Sequence, residues 1–599
     1  YDDPADIGNP GYNLYNDTLH YFFTWNSSSN NLRFTQESDV NFSNYSSIAN
    51  YIWYSSKLNI NTHYYEGKQD PNVSSSFYTR GEGWAEQHKD GVSGSYSPTV
   101  LNVPTPNPYV AVGAPNAIFS GRSVSTNDAA TVGFSSPNHH VRWLFGTSNT
   151  LLLDTTWKGY DQIRCDEIVS NSLLSNGTTP VTYRIINDLS VATDRQSFQY
   201  LSLDYARQTD FNGGNELTFK VENDPQGKIR LDFTNTGTMN PIVMVFGSAP
   251  RIVPFVSNGG SYSMLIPNST NGVNQEVIVK DISSIQDVTE LSPVNGTGIF
   301  TDFASQLPES ALLMIYHPSM NAASQAYKSY RDFNYNAYLA NIEELYLQFG
   351  GGIRKHVFGV RRFAHFAYVN STNKPVGLFL MGKGIRESST NSTTFDGAGT
   401  RKSPSRYALS HIPSYGQPSS DISITAGLEG TSNYTPLIPT GRISVRDNQE
   451  LQDYLNKVQV YEENQNQNDI YDTPNKDWQK HVMHFAGGVN AGEQTQFQSY
   501  MNAMSNTISD SLFGAYVHKI YKTGSNPLDP TLLAEVTDRI SDGLSLMSYF
   551  GHATGTNSGF EINLDDPVNL DNERKYPVMF VNSCYNGNVF QETASKAEE

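Results

Sequence analysis

A series of short, largely apolar runs, each passing into a glycine-rich or polar turn, sets the second half of this chain apart from the first. They are residues 312–316 (LLMIY), 376–381 (VGLFLM), 482–486 (VMHFA), 515–521 (AYVHKIY), 544–550 (LSLMSYF) and 578–582 (VMFVN). Helical stretches fall between them, over residues 322–331, 339–349, 493–512 and 531–541. The last has Asp529 as N-cap and Pro530 in its first turn, with Leu532, Leu533, Val536 and Ile540 on one face. A strand that is apolar on both faces has to be covered on both. Alternation with helices therefore implies a mostly parallel sheet between helical layers. Residues 309–599 are expected to form one α/β domain, with its chemistry at the carboxyl ends of the strands.

The region before it reads as all-β. Aromatic and β-branched runs recur at residues 19–25 (LHYFFTW), 51–58, 109–112, 141–145, 181–186, 198–205, 216–221 and 228–233. They are separated by Asn, Gly, Ser and Pro clusters, with no helical period between. That pattern suggests antiparallel sandwiches or a jelly-roll-like arrangement. Proline and polar residues gather at 96–108, which marks a break. A small β-rich domain is expected over 1–95 and a sandwich region over 96–308.

Charge narrows the partners. Forty Lys and Arg against 59 Asp and Glu give −19, without basic clusters, which argues against nucleic acid or anionic lipid. No apolar run approaches the ~18 residues of a membrane helix, so no transmembrane segment is expected. Tyr, Phe and Trp make up 12% of a chain rich in Asn, Ser, Thr and Gly, as in β-rich surface proteins. Two cysteines do not make a disulfide scaffold. The expectation is a soluble, multidomain, extracytoplasmic protein. The chain opens on Tyr1 and stops soon after Cys584, so it is expected to be part of a longer, processed product.

Two strand ends carry the chemistry. Residues 544–550 run into Gly551-His552-Ala553-Thr554-Gly555, and residues 578–582 into Ser583-Cys584-Tyr585-Asn586-Gly587. If these strands are parallel neighbours, His552 and Cys584 leave the sheet at one edge. An imidazolium beside a thiol stabilises the thiolate and makes it a nucleophile. Small flanking residues let backbone N–H groups point inward, so the amides of Gly551, Ala553 and Cys584 are candidates for an oxyanion hole. Against this stands the commoner situation of an inert strand-end cysteine and a structural histidine. A Cys165–Cys584 disulfide would also quench the nucleophile, but the β region would have to reach the strand edge.

The blocks Ser548-Tyr549-Phe550-Gly551-His552 and Val581-Asn582-Ser583-Cys584-Tyr585-Asn586-Gly587 resemble the His and Cys blocks of the gingipain-type cysteine peptidases. Residues 436–462 resemble that family's proline-then-GRI segment and following helix. Residues 482–493 (VMHFAGGVNAGE) resemble its strand, glycine loop and orienting Glu. The β-rich front half, including Gly81-Glu82-Gly83-Trp84, is more similar to the PorU-type sortase branch of the type IX secretion system than to secreted gingipains. The resemblance implies a caspase-like α/β fold, with Cys584 as nucleophile, His552 as general base and Glu493 orienting the imidazole. Glu493 would also favour the dipole at its helix N-terminus, whatever its role. The family often has Gly where Ala553 stands.

The resemblance further implies a sortase-like enzyme at the extracellular face of the outer membrane. It would cleave the C-terminal sorting domains of cargo proteins through an acyl-enzyme and pass the acyl group to an amine or to water. An outer-membrane barrel or another secretion component is the implied partner. The alternatives are a secreted general protease and, from another class, a non-catalytic scaffold of the secretion apparatus. No cofactor is required. Asp565 and Asp566, in the acidic run 561–571, are candidates for structural Ca²⁺, set against a solvated acidic loop. His139 and His140 read as a surface pair lacking a ligand partner, and His484 as a packed core residue.

Overall fold

In a computed structural model, the described residues are 7–27, 31–46, 48–65, 69–70, 73–74, 79–91, 98–125, 137–191, 194–247, 249–258, 261–270, 272, 274–385, 400–416, 419–466, 473–510, 512–524, 530–552, 570–583, 587 and 589–590. The chain divides into two compact units, Tyr1–Ile299 and Phe300–Glu599. The first is all-β apart from short 3₁₀ turns, and the second is α/β with parallel sheets.

The first unit is organised by one long strand, Asp194–Arg207. It pairs antiparallel with Ile52–Asn59 on one side and Ala117–Ser125 on the other, inside a ten-stranded sheet. A four-stranded sheet of Thr150–Trp157, His139–Phe145, Gly177–Ile185 and Thr99–Thr105 supplies the second layer. Phe119, Trp143, Phe145, Tyr183, Phe198 and Tyr205 fill the core between them. Gly121 is required there: a Cβ would lie 2.1 Å from the Trp143 ring. A second core, with Phe219, Leu231, Phe233, Val245 and Val277, lies under the three-stranded sheet built on Lys228–Phe233 and Ser261–Pro267. The Glu216–Val221 strand alternates exposed and buried residues, as a half-covered antiparallel sheet requires.

The Gly81–Trp84 block is structural. Trp84 is buried and donates its indole N–H to Leu14 O at 3.1 Å, while Glu82 Oε1 accepts from Tyr64 Oη at 2.7 Å.

Several expectations fail. Residues 19–25 and 109–112 form no strand; the side chains of Tyr21, Phe23 and Trp25 are exposed. Conversely, Thr99–Thr105 is a strand although it contains Pro104, because it lies at the edge of its sheet. His139 and His140 are not on the surface but buried. The fold brings carboxylates to them from distant positions: His139 Nδ1 lies 2.7 Å from Asp194, and His140 lies 2.8 Å from Asp188 and 2.6 Å from Asp154. Arg142 also binds Asp154.

Burial alone would lower the pKa of His140, but hydrogen bonds to Asp188 and Asp154 outweigh it, and the net shift is upward. A raised folded pKa means the contribution is complete below the unfolded value of ~6.5 and is lost as pH rises through the folded one. The urea midpoint of the first unit is therefore expected to fall between about pH 6 and pH 9, a span bracketing that titration. His140→Gln should flatten the dependence; an equal pH dependence in the variant would remove His140 as its source.

In the second unit, β1 (Ala311–Tyr316), β2 (Asn336–Asn341), β3 (Gly377–Met381) and β4 (Thr440–Ile443) form a parallel sheet in the order β2-β1-β3-β4. A second parallel sheet repeats that order: β5 (His481–Ala486), β6 (Tyr516–Tyr521), β7 (Leu546–Phe550) and β8 (Val578–Asn582) run β6-β5-β7-β8. Helices α1 (Asn321–Arg331), α2 (Ile342–Gln348), α3 (Phe358–Asn370), α4 (Asn448–Gln465), α5 (Ala491–Ile508) and α6 (Pro530–Asp542) connect them. Helix α6 seals the second sheet through Val536 and Ile540, which pack with Met483, Phe485, Met547 and Tyr549. Each such side chain contributes roughly 1.5–3 kcal/mol on burial. Asp529 and the side chains of Leu532 and Leu533 lie outside the description.

The helix expected over 339–349 is shorter. Leu339 belongs to β2, and the helix begins at Ile342, where the Asn341 side chain accepts from Glu343 N–H. Among the described residues, no helix is long and apolar enough to cross a membrane.

Candidate active site

In a sheet ordered β6-β5-β7-β8, the connections leave in opposite directions from β5 and β7, and a crevice opens between their carboxyl ends. The loops after these two strands meet there. Gly487 N–H donates to Phe550 O at 2.9 Å, and a Cβ on Gly487 would stand 3.2 Å from Gly551 Cα. Gly488 has φ +123°, and a Cβ there would lie 2.7 Å from Gln494 N, so the turn into α5 needs glycine. Buried Gln494 holds this turn by donating to Gly488 O at 3.0 Å and Gly524 O at 2.9 Å.

The turn delivers Glu493. Asn490 caps α5, its Oδ1 accepting from Glu493 N–H at 3.0 Å. Glu493 Oε2 reaches back to accept from Val489 N–H at 3.0 Å. The same oxygen lies 3.1 Å from His552 Nε2. The Val489 amide first, and the His552 hydrogen bond second, hold the Glu493 carboxyl below its ordinary pKa. A carboxylate fixed this way selects the tautomer with the proton on Nε2. Nδ1, on the far side of the ring, is left as the basic nitrogen.

His552 is held from two further directions. Tyr549 Oη donates to His552 O at 2.8 Å. The Phe497 ring lies 5.8 Å from the imidazole and 4.8 Å from Phe550. Glu493, Phe497 and Tyr500 recur at i, i+4 and i+7 on one helix face, so α5 orients the imidazole and packs the end of β7 together. Sequence reasoning found Glu493 and missed Phe497; the aromatic spacing after the glutamate was the signal. With its side chain 52% exposed, His552 stays open to a substrate.

Strands β7 and β8 are parallel neighbours with Phe550 opposite Asn582, and Gly551 N–H continues the ladder to Asn582 O at 3.3 Å. The offset 582 − 550 = 32 equals 584 − 552, so His552 and Cys584 each follow a paired strand end by two residues. Cys584 lies outside the described residues, as do Ala553, Asp565 and Asp566. The Gly551 amide is spent on the sheet ladder, leaving those of Ala553 and Cys584 as the oxyanion candidates. The other cysteine, Cys165, is a free thiol in the β-sandwich core, with burial pushing its pKa up to about 12.

His484 is buried, its Nδ1 2.8 Å from Ser505 Oγ. Among the described residues, no group of three or more His, Cys, Asp or Glu gathers to hold a metal.

A Cβ on Gly551 would lie 2.7 Å from Tyr549 Oη and 3.1 Å from Gly487 Cα. Gly551→Ala is therefore expected to displace His552 and cut kcat about 10-fold or more, since ångström displacements cost up to ~10²-fold. An unchanged kcat in the folded variant would show that this close packing does not position the imidazole.

Residues 305–599 match the family model of Peptidase family C25. Among solved structures, dimeric latent PorU from Porphyromonas gingivalis aligns with TM-score 0.45 and 10% identity, over 78% of this chain and 44% of that one. The Arg-specific cysteine proteinase gingipain R aligns with TM-score 0.34 and 15% identity, over 48% of this chain and 57% of that one. The chain thus spans less than two thirds of either. No curated protein matches it.

Proposed function

We propose that residues 305–599, which match the family model of Peptidase family C25, act as a cysteine peptidase in which Cys584, His552 and Glu493 form the catalytic set. The observation that carries the reading is the Glu493–His552 hydrogen bond of 3.1 Å at the switch point, in register with the strand leading to Cys584.

The thiol proton passes to His552 Nδ1, and the Cys584 sulfur attacks the scissile carbonyl. The amides of Ala553 and Cys584 receive the charge that develops on the oxygen. The carbon–nitrogen bond breaks as the imidazolium protonates the departing amine, leaving a thioester. An incoming amine or water then gives its proton to His552 and attacks that thioester; the thiolate leaves and the pair is restored. Glu493 keeps the ring oriented and balances the imidazolium.

The substrates we propose are secreted proteins bearing C-terminal sorting domains, processed at the outer-membrane surface in a sortase-like role beside a barrel partner. The succession of GRI, Glu, His and Cys blocks supports the peptidase reading, and the β unit preceding them supports the sortase-like role. Incubating the chain with a cargo carrying its sorting domain, with and without an added amine, tests it. Release of the domain that requires Cys584 supports the reading. Cleavage of unrelated proteins at equal rates would replace it with a general protease.

A further inference from the structure

The loop carrying Cys584 is tied to both sheets of the α/β unit. Its upstream limb ends β8 in the second sheet. Its downstream limb, Val589–Phe590, is gripped by the first sheet. Lys383, just past β3, is fully buried, and its Nζ donates to Val589 O at 2.8 Å. Ser444 Oγ donates to the same carbonyl at 3.3 Å. Phe590 is buried, with the Arg442 guanidinium 5.5 Å from its ring centre.

These groups are themselves tied into the fold. Lys383 N–H donates to Val445 O at 2.9 Å, and its carbonyl accepts from Ile412 N–H at 3.0 Å. Arg442 holds Asp421 by two bonds of 2.7 and 2.8 Å and donates to Gly382 O and Ile412 O. A wholly buried ammonium is costly to keep and marks a geometry that the fold over-determines.

We propose that Lys383 is a positioning residue for the nucleophile: by fixing Val589 it sets the arc of the loop so that the Cys584 thiol meets His552. The first sheet, which contributes no proposed catalytic side chain, would thereby act on the reaction. This inference rests on the peptidase reading above.

The test is Lys383→Met in the full chain, with Lys383→Arg as the conservative variant and Phe590→Leu loosening the same anchor from the loop side. Iodoacetamide labelling of Cys584 is followed by mass against pH; Cys165 is buried and silent. Wild type should label rapidly below about pH 7, where a free thiol does not. Lys383→Met should slow labelling at neutral pH by about 10- to 100-fold and move its profile toward the free-thiol value of ~8.5, with kcat falling and KM little changed. Lys383→Arg should recover part of the loss. If Lys383→Met does not fold, Phe590→Leu should show the same shift at smaller size.

A folded Lys383→Met with the wild-type profile and kcat, or a folded Phe590→Leu with them where Lys383→Met cannot be made, overturns the proposal. The peptidase reading is then untouched, provided wild type labels fast and His552→Ala does not. Slow labelling of wild type itself overturns both.

Discussion

Cys584→Ala is expected to reduce cleavage of a cargo substrate by about 10⁵-fold or more, the scale on which loss of a nucleophile collapses a catalytic set acting as a unit. The substitution removes the atom that forms the thioester, so neither His552 nor the oxyanion donors can compensate. Binding of the same substrate should survive, because alanine removes only the sulfur. The measurement is single-turnover cleavage with a binding assay beside it, on protein whose circular dichroism matches wild type. A folded variant that cleaves cargo normally would mean that Cys584 is not the nucleophile.

Glu493 carries the second large effect. One of its oxygens accepts from both Val489 N–H and His552 Nε2. Glutamine can place a carbonyl oxygen there and keep both contacts, but it lacks the charge that balances the imidazolium. Glu493→Gln is expected to cost about 10-fold in kcat, and Glu493→Ala, which frees the ring, about 10² to 10³. KM should change little in either. The pH dependence has a definite sign. The Glu493 pKa is lowered, so its orienting contact is present above the ordinary carboxyl value and is lost only as acid protonates it below. Wild type should therefore lose activity as acid protonates Glu493 below the ordinary carboxyl range, a step that Glu493→Gln cannot show. A kcat unaffected by Glu493→Ala would make the residue a helix-terminal carboxylate and no more.

Much of the candidate site is legible because parallel strands and their exits write themselves locally. An apolar run passing into Gly551-His552, another into Ser583-Cys584, and a glycine turn before Glu493 are each contained within a dozen residues. The intervals between them are what parallel crossovers need. The structure adds the register and the switch point, and these depend on strand order, which no local pattern encodes.

What was misread depended on distant partners. His139 and His140 have no carboxylate near them in sequence; Asp194 and Asp188 arrive only when the strand Gly177–Ile185 and the segment after it fold back beside them. Leu339 fits a helical period with Ile342 and Leu345, but pairing of β2 with β1 overrides it. The aromatic run at 19–25 has strand composition and finds no strand partner among the described residues. Pro104 looked like a break and is an edge position, a distinction set by the sheet around it. The Lys383–Val589 contact joins residues 206 apart in sequence, beyond any motif.

The most direct test is the pH dependence of Cys584 alkylation in wild type and in His552→Ala. Labelling that stays fast below about pH 7 in wild type, and in the variant rises only near the free-thiol value of ~8.5, is the signature of a thiolate–imidazolium pair. Identical profiles rising only near ~8.5 in both proteins would show an unactivated thiol and contradict the peptidase assignment.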